Sequence, residues 1–260
     1  MGTKTVHMIY FSPTGTTRKV VAAVAAGVSS AAPRGLDLTL SAAENSTHLS
    51  DGVAVIGVPV YAGRVPEVCL ERMEKLSADG VPTAIVALYG NREFEDALVE
   101  LRDVATAKGF KVIAAGTFIG EHSYSTPERP IAAGRPDADD LQLARSFGER
   151  FAAKIDTGDL STPGIDGNLP YKERIPLGGI APETDRQRCT LCGRCDEVCP
   201  MGIVAVTDVV NTHAQNCIMC CACVKECPVA ARPFNHPRIE ERREMLLKNC
   251  SIPKSPQLFL

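Results

Sequence analysis

The amino-acid sequence predicts a doubly wound α/β unit with a five-stranded parallel sheet, followed by a small α+β unit organised around cysteines. Three observations predict it. Short apolar runs alternate with amphipathic stretches through residues 3–158. Those runs are nearly continuous (Val-Ala-Val-Ile-Gly-Val at 53–58, Ala-Ile-Val-Ala-Leu at 84–88), as parallel strands covered on both faces require. Ten of the eleven cysteines lie at or beyond Cys189.

Taken in order, strands are expected over 5–11, 36–40, 53–60, 83–89 and 111–118. Amphipathic stretches between and after them predict helices over 16–31, 66–77, 93–108 and 137–156, with right-handed crossovers. Residues 159–186 are rich in Pro and Gly and lack periodicity, which reads as a linker draped over the surface. The cysteine motifs occupy 187–233, a closing helix is expected over 237–249, and the remainder reads as a tail. The expected organisation is therefore 1–158, a linker 159–186, 187–233, and a C-terminal segment 234–260.

Composition narrows the function classes. A net charge of −3 and a pI near 6.0 point away from nucleic acid and anionic membranes. No run reaches the roughly 18 apolar residues of a membrane span. The first residues lack the layout of a secretory signal, so a cytoplasmic protein is expected. A dense local cysteine cluster in such a chain indicates metal ligation rather than a disulfide scaffold.

The first motif is Cys189-x2-Cys192-x2-Cys195-x3-Cys199-Pro200, and the second is Cys217-x2-Cys220-x2-Cys223-x3-Cys227-Pro228. The offset of 28 residues marks an internal duplication. Three thiolates at i, i+3 and i+6 wrap one face of an iron–sulfur cube and leave the fourth iron for a distant ligand. In the bacterial two-cluster pattern the fourth cysteine of each run ligates the other cluster. That predicts two [4Fe–4S] clusters, one on Cys189, Cys192, Cys195 and Cys227, the other on Cys217, Cys220, Cys223 and Cys199. Structural zinc also uses Cys-x2-Cys pairs, but it needs neither the third cysteine nor the repeated Cys-Pro. The region resembles the bacterial-type ferredoxins with two [4Fe–4S] clusters. It departs from them at Cys221, where those proteins carry a small residue, often Gly. Cys221 is a bystander or an alternative to Cys220, and the spacing favours Cys220. Cys69 and Cys250 read as small apolar residues.

After the first strand comes Phe11-Ser12-Pro13-Thr14-Gly15-Thr16-Thr17-Arg18, opening a helix. Backbone amides there, with the hydroxyls of Ser12, Thr14, Thr16 and Thr17 around Gly15, make an anion site suited to a phosphate dianion. An ordinary N-cap cluster uses the same residue types. Neither a Gly-x-Gly-x-x-Gly turn nor a Walker lysine is present, which argues against a dinucleotide turn and NTP hydrolysis. The loop resembles the FMN phosphate loop of the flavodoxins. That resemblance implies a flavodoxin-like strand order 2-1-3-4-5, with FMN beyond the carboxyl ends of strands 1, 3 and 4. It implies a ring clasped by Pro59, Val60, Tyr61, Ala62, Gly63 and Arg64 from one loop. Tyr89, Gly90, Asn91, Arg92, Phe94 and Asp96 would close on it from the other. Tyr61 and Tyr89 would pack near the ring, and Gly63 and Gly90 would admit close approach of backbone. Ser123 would join from the long connection after the fifth strand. His122 is either a proton donor to the flavin or a hydrogen-bonded loop histidine. His7, His48, His213 and His236 show no constellation.

The whole chain resembles a family of anaerobe proteins in which a flavodoxin-like domain is fused to a two-cluster ferredoxin. Tyr89-Gly90-Asn91-Arg92, Glu121-His122-Ser123-Tyr124 and Gly134-Arg135-Pro136-Asp137 carry that resemblance. It implies low-potential electron transfer with FMN and two clusters, serving a redox-protein donor or acceptor. FMN-dependent reduction of a small molecule is the alternative. The acidic excess lies entirely before residue 159, and beyond it the two signs balance. A cluster unit without net charge steers partners weakly, so the main electron route is expected within the chain. Arg64 and Arg92 beside the ring would favour its anionic reduced form and make the FMN less reducing. Binding of phosphate or a substrate carboxylate is their other reading.

Overall fold

The computed structural model describes residues 4–40, 46–176 and 178–260. The chain runs β1 (Val6–Tyr10), α1 (Thr16–Val28), β2 (Arg34–Asp37), β3 (Thr47–Leu49), β4 (Val53–Pro59), α2 (Glu67–Met73) and β5 (Leu76–Ala78). It continues with β6 (Pro82–Tyr89), α3 (Ala97–Ala107), β7 (Lys111–Ile119) and α4 (Ala138–Asp156). The cysteine-rich part holds α5 (Arg194–Glu197), β8 (Val204–Val206), β9 (Val210–Thr212) and α6 (Ala222–Lys225). Helix α7 (Pro237–Asn249) and strand β10 (Gln257–Phe259) close the chain.

The main sheet has the order β2-β1-β4-β6-β7-β10. Its first five strands are parallel and correspond to the five expected ones, in the 2-1-3-4-5 order. The sheet has six strands, not five. Gln257–Phe259, expected within a tail, pairs antiparallel with β7, Gln257 opposite Thr117 and Phe259 opposite Ala115. Three residues are too few to display a period of two, so only the open edge of β7 identifies them. A second departure is the separate parallel pair of β3 and β5. Strand β5 begins where the helix expected over 66–77 has already stopped.

Six of the seven residues of β4 are buried, so both sheet faces are covered. Val20, Val21 and Val24 of α1 and Phe147 and Phe151 of α4 share one core. Cys69 and Met73 of α2 with Leu98 and Leu101 of α3 occupy the other. Cys69 is fully buried there, as a small apolar residue. Helices α1 and α4 cross closely because Gly27 and Gly148 face each other's backbone; a Cβ on either would collide with a carbonyl oxygen.

Residues 165–174 are fastened along the sheet unit by buried polar groups. Asp96, fully buried, accepts from the Asn168 N–H at 2.8 Å, Asn168 Nδ2 at 2.9 Å and the Lys172 N–H at 2.7 Å. Glu100, 3% exposed, accepts from Arg64 Nε at 2.9 Å and Nη2 at 2.7 Å, from Arg174 Nη2 at 2.7 Å and from the Val65 N–H at 2.9 Å. Within the stretch expected as a surface linker, Asn168, Lys172 and Arg174 are thus held by buried carboxylates.

Asn91 ties down the C-terminus. It sits at φ 63 and is buried. Its Nδ2 donates to the carbonyls of Cys250 at 2.7 Å and Ile252 at 2.9 Å, and its Oδ1 accepts from the Lys254 N–H at 2.8 Å. Asn91→Ala removes three hydrogen bonds and puts alanine in a left-handed conformation. The expected cost is about 2–4 kcal/mol, read as a lower denaturant midpoint, with faster amide exchange over 250–260.

Candidate functional site

The two cysteine runs fold as two copies of one backbone. Leu191 and Met219 both have φ 55, Gly193 and Cys221 have φ 80 and 61, and Gly202 and Ala230 have φ 59 and 48. These left-handed residues turn each run back on itself. Cys189, Cys192, Cys195 and Cys227 line one cavity, while Cys199, Cys217, Cys220 and Cys223 line another. The fourth cysteine of each run thus crosses to the other quartet. Among the described residues no three His, Cys, Asp or Glu side chains converge as a single metal ion needs.

Cys221 lines the second cavity as well, 3% exposed. It occupies the left-handed position that Gly193 fills in the first run, a conformation costing a side chain about 1–2 kcal/mol. Cys250 lies apart, at the clamp made by Asn91. Backbone N–H groups reach two of the quartet sulfurs, Met219 to Cys217 Sγ at 3.4 Å and Ala231 to Cys227 Sγ at 3.1 Å. Burial pushes the Cys217, Cys220 and Cys223 thiols up from their ordinary range; coordination would offset that penalty.

At the first turn Gly15 starts α1 in a left-handed conformation, with no side-chain cap on the helix. Ser12 is locked in place: its N–H donates to Thr39 Oγ1 at 2.8 Å, and its Oγ accepts from the Arg18 N–H at 3.0 Å. The Thr14 and Thr16 hydroxyls lie 3.4 Å apart, and the space beside Gly15 is open. Thr17 is buried. Ser12 already takes the Arg18 N–H and the Gly15 N–H; the opening of the helix at Thr16 and Thr17, with the adjacent hydroxyls and the room beside Gly15, fits a phosphate group.

The ring loops are arranged differently from expectation. Val60, Tyr61, Ala62, Arg92 and Ser123 do come together, with His122 and Tyr124, around a cavity of about 260 Å³. Pro59, Gly63, Arg64, Tyr89, Gly90, Asn91, Phe94 and Asp96 do not line it. Arg64 is spent on Glu100, Asn91 on the C-terminal segment and Asp96 on Asn168 and Lys172. The Gly63 carbonyl accepts from the Asp96 N–H at 3.0 Å, and a Cβ on Gly63 would strike Glu95. A Cβ on Gly90 would strike the His122 ring, so Gly90 makes room for His122. Phe94 packs against Tyr89, ring centroids 5.7 Å apart. The Tyr89 hydroxyl is buried without a partner, one of two such side-chain atoms among the described residues.

Sequence reasoning missed the rest of the cavity lining. Ile218 and Met219, the residues between Cys217 and Cys220, form part of it, as do Lys172, Arg242 and Met245. The second cysteine run therefore shares a wall with the ring loops. Burial, then Cys220 and Cys221, hold the Tyr61 hydroxyl well above its ordinary pKa, which marks the same proximity. Lys225 anchors this junction, donating to Glu121 Oε1 at 2.7 Å and the Ser125 carbonyl at 2.8 Å. Arg92 and Lys172 both bond Glu95. Two cations share one carboxylate and Arg242 adds a third, so the lining is net positive even though Arg64 is elsewhere.

His122 accepts at Nδ1 from the Tyr124 N–H at 3.1 Å, so the neutral ring carries its proton on Nε2. Burial, followed by the charges of Arg92, Lys225 and Arg243, lowers its pKa to about 4. Near neutrality its neutral ring has one N–H, on Nε2, and holds no second proton to give. The unfolded chain protonates this histidine near pH 6.5, the folded one only near 4. Stability is therefore expected to fall as pH drops between those values, by up to about 1.4 kcal/mol per pH unit from this group. Denaturant midpoints across that range should lose this component in His122→Gln.

A family model described as a 4Fe-4S dicluster domain matches residues 181–228. No curated protein matches the chain. Among solved structures, the flavodiiron core of Flv1 from Synechocystis sp. PCC6803 is similar at 16% identity and a TM-score of 0.43, covering 60% of this chain and 37% of that one. Flavodoxin 1 from Bacillus cereus is similar at 14% identity and a TM-score of 0.41, covering 57% and 97%. A Fusobacterium nucleatum flavodoxin bound to flavin mononucleotide is similar at 15% identity and a TM-score of 0.38, covering 60% and 98%. This chain spans just over a third of the flavodiiron chain. Among the described residues no helix is long and apolar enough to cross a membrane. Residues 181–228 thus match a 4Fe–4S domain model, following a doubly wound α/β part whose parallel strands run in the order β2-β1-β4-β6-β7.

Proposed function

We propose that this chain is an iron–sulfur flavoprotein that moves electrons between two [4Fe–4S] clusters and one FMN, linking one-electron and two-electron chemistry. Residues 1–158 form the FMN part and 187–233 the cluster part, joined by the fastened stretch 159–186. The observation that carries the reading is the shared cavity wall, where Ile218 and Met219 from inside the second cysteine run meet Tyr61, Ala62, His122 and Tyr124. The crossed quartets support the ligand sets Cys189, Cys192, Cys195, Cys227 and Cys217, Cys220, Cys223, Cys199. Ser12, Thr14, Gly15, Thr16 and Thr17 would receive the FMN phosphate. When bound, the flavin supplies a two-electron carrier. The protein's own contribution is to orient it, exclude water and keep the Nε2–H of His122 available at the cavity.

The cationic lining of Arg92, Lys172 and Arg242 supports a flavin less reducing than one ringed by acids. The immediate partner is then a redox protein serving as donor or acceptor. Reduction of a small molecule is a second reading. It is favoured by a cavity of about 280 Å³ beside Tyr61 and Cys217, which Arg64, Arg174 and Gln215 also line.

Anaerobically purified protein tests the proposal directly. It should contain about eight irons and one FMN per chain, and both the flavin and the clusters should take up electrons in a redox titration, the flavin first. Zinc in place of iron, or protein that retains no flavin after reconstitution, would sink it. Fast reoxidation by another redox protein alone supports the carrier, and saturable oxidation by one small molecule supports the reductase.

A further inference from the structure

Arg232 interrupts the internal duplication. At the 28-residue offset its counterpart is Val204, which is buried against Cys195 and Ile203. Arg232 is 3% exposed at the corresponding place. A cation thus stands where the other copy keeps an apolar side chain, in a setting where an unpaired charge is costly. No carboxylate offsets it among the described residues. Its guanidinium donates to Thr184 Oγ1 at 2.5 Å and to Thr212 Oγ1 at 2.9 Å, both neutral. Its Nε–H is buried with no partner at all.

The surroundings of that side chain are the two thiol quartets. Arg232 lines the cavity of Cys189, Cys192, Cys195 and Cys227. Its Nη2 lies 3.9 Å from Cys223 Sγ of the other quartet. Guanidinium is the charged group least hydrated and best shaped to serve several acceptors at once. The anions within its reach are the sulfur sites on either side.

We infer that Arg232 is the shared counter-cation of the two iron–sulfur sites, a positioning residue that holds both at a higher reduction potential than they would have without it. This rests on the two-cluster reading above. One-electron reduction, with dithionite as the electron source, adds one negative charge at a cluster, and a fixed neighbouring cation favours that charge. Because the cation is buried, added salt should screen it little.

The test is a redox titration of full-length protein followed by electron paramagnetic resonance, comparing Arg232→Met and Arg232→Lys with the unsubstituted chain. R232M should keep its iron and reduce less readily at both clusters, by at least about tenfold in each equilibrium constant, a downward shift of about 59 mV. The shift should be the same at low and high salt, and R232K should lie between R232M and the parent. If R232M loses iron while R232K retains it, the potentials of R232K decide: a downward shift at both clusters relative to the parent supports the inference, and unchanged potentials overturn it. Unchanged potentials in iron-replete R232M, or loss of iron from both variants, overturn it. An unsubstituted chain without iron would instead refute the two-cluster reading, which keeps the two failures distinct.

Discussion

Cys227→Ala is expected to empty the site around Cys189, Cys192 and Cys195 and to spare the one built by its own repeat. The proposed ligand sets cross, so the fourth cysteine of the second run serves the first quartet. Iron should fall from about eight toward about four per chain, and one of two paramagnetic signals should remain after reduction. Double substitutions make the crossing explicit, because residues that act as one unit are non-additive. Adding Cys192→Ala to Cys227→Ala should remove little further iron, whereas adding Cys220→Ala should remove most of the rest. If the Cys220 pairing is the silent one, each run serves its own cluster and the crossed assignment is wrong.

Glu100→Gln should be among the most destabilising single changes available outside the cysteines. Gln keeps the shape but removes the charge that faces Arg64, and Arg64 is itself only 11% exposed at the side chain. Burial of an ion whose partner has been removed costs about 3–5 kcal/mol. Arg174, 27% exposed, contributes the smaller share because water screens it. The loss should lower the melting temperature by roughly 10 °C for a chain of this size and accelerate amide exchange over 165–174. A change below about 1 kcal/mol would mean that the network is dispensable and that apolar packing alone fastens this stretch.

How much of this was legible from residues alone differs by element. The apolar runs at 53–60 and 83–89 needed no partner to be recognised, since both faces of a parallel strand are buried and the run is continuous. Strand β2 was displaced, beginning at Arg34 rather than near Leu36, because its exposed edge carries a weak pattern. Strands β3, β5 and β10 have three residues each, and their existence depends on distant edges. The cysteine quartets were legible because ligand spacing is local and repeated. Arg232 could have been noticed in the same duplication, as a charge opposite Val204.

The ring loops show where local reading stops. Arg64 and Asn91 stand in loops of the expected kind, yet Glu100 and the carbonyls of Cys250 and Ile252 claim their side chains. Those partners lie 36, 159 and 161 residues away in the chain. By itself, the amino-acid order determined the buried strand runs, the thiol spacing and the hydroxyl-lined helix start, all properties of short segments. Tertiary structure alone decided which polar groups are already satisfied, that Met219 faces the ring loops, and that one uncompensated arginine lies between the quartets. Hydrogen bonds and charges are settled by whichever partner packing brings within about 3 Å, and no segment of the chain carries that information in isolation.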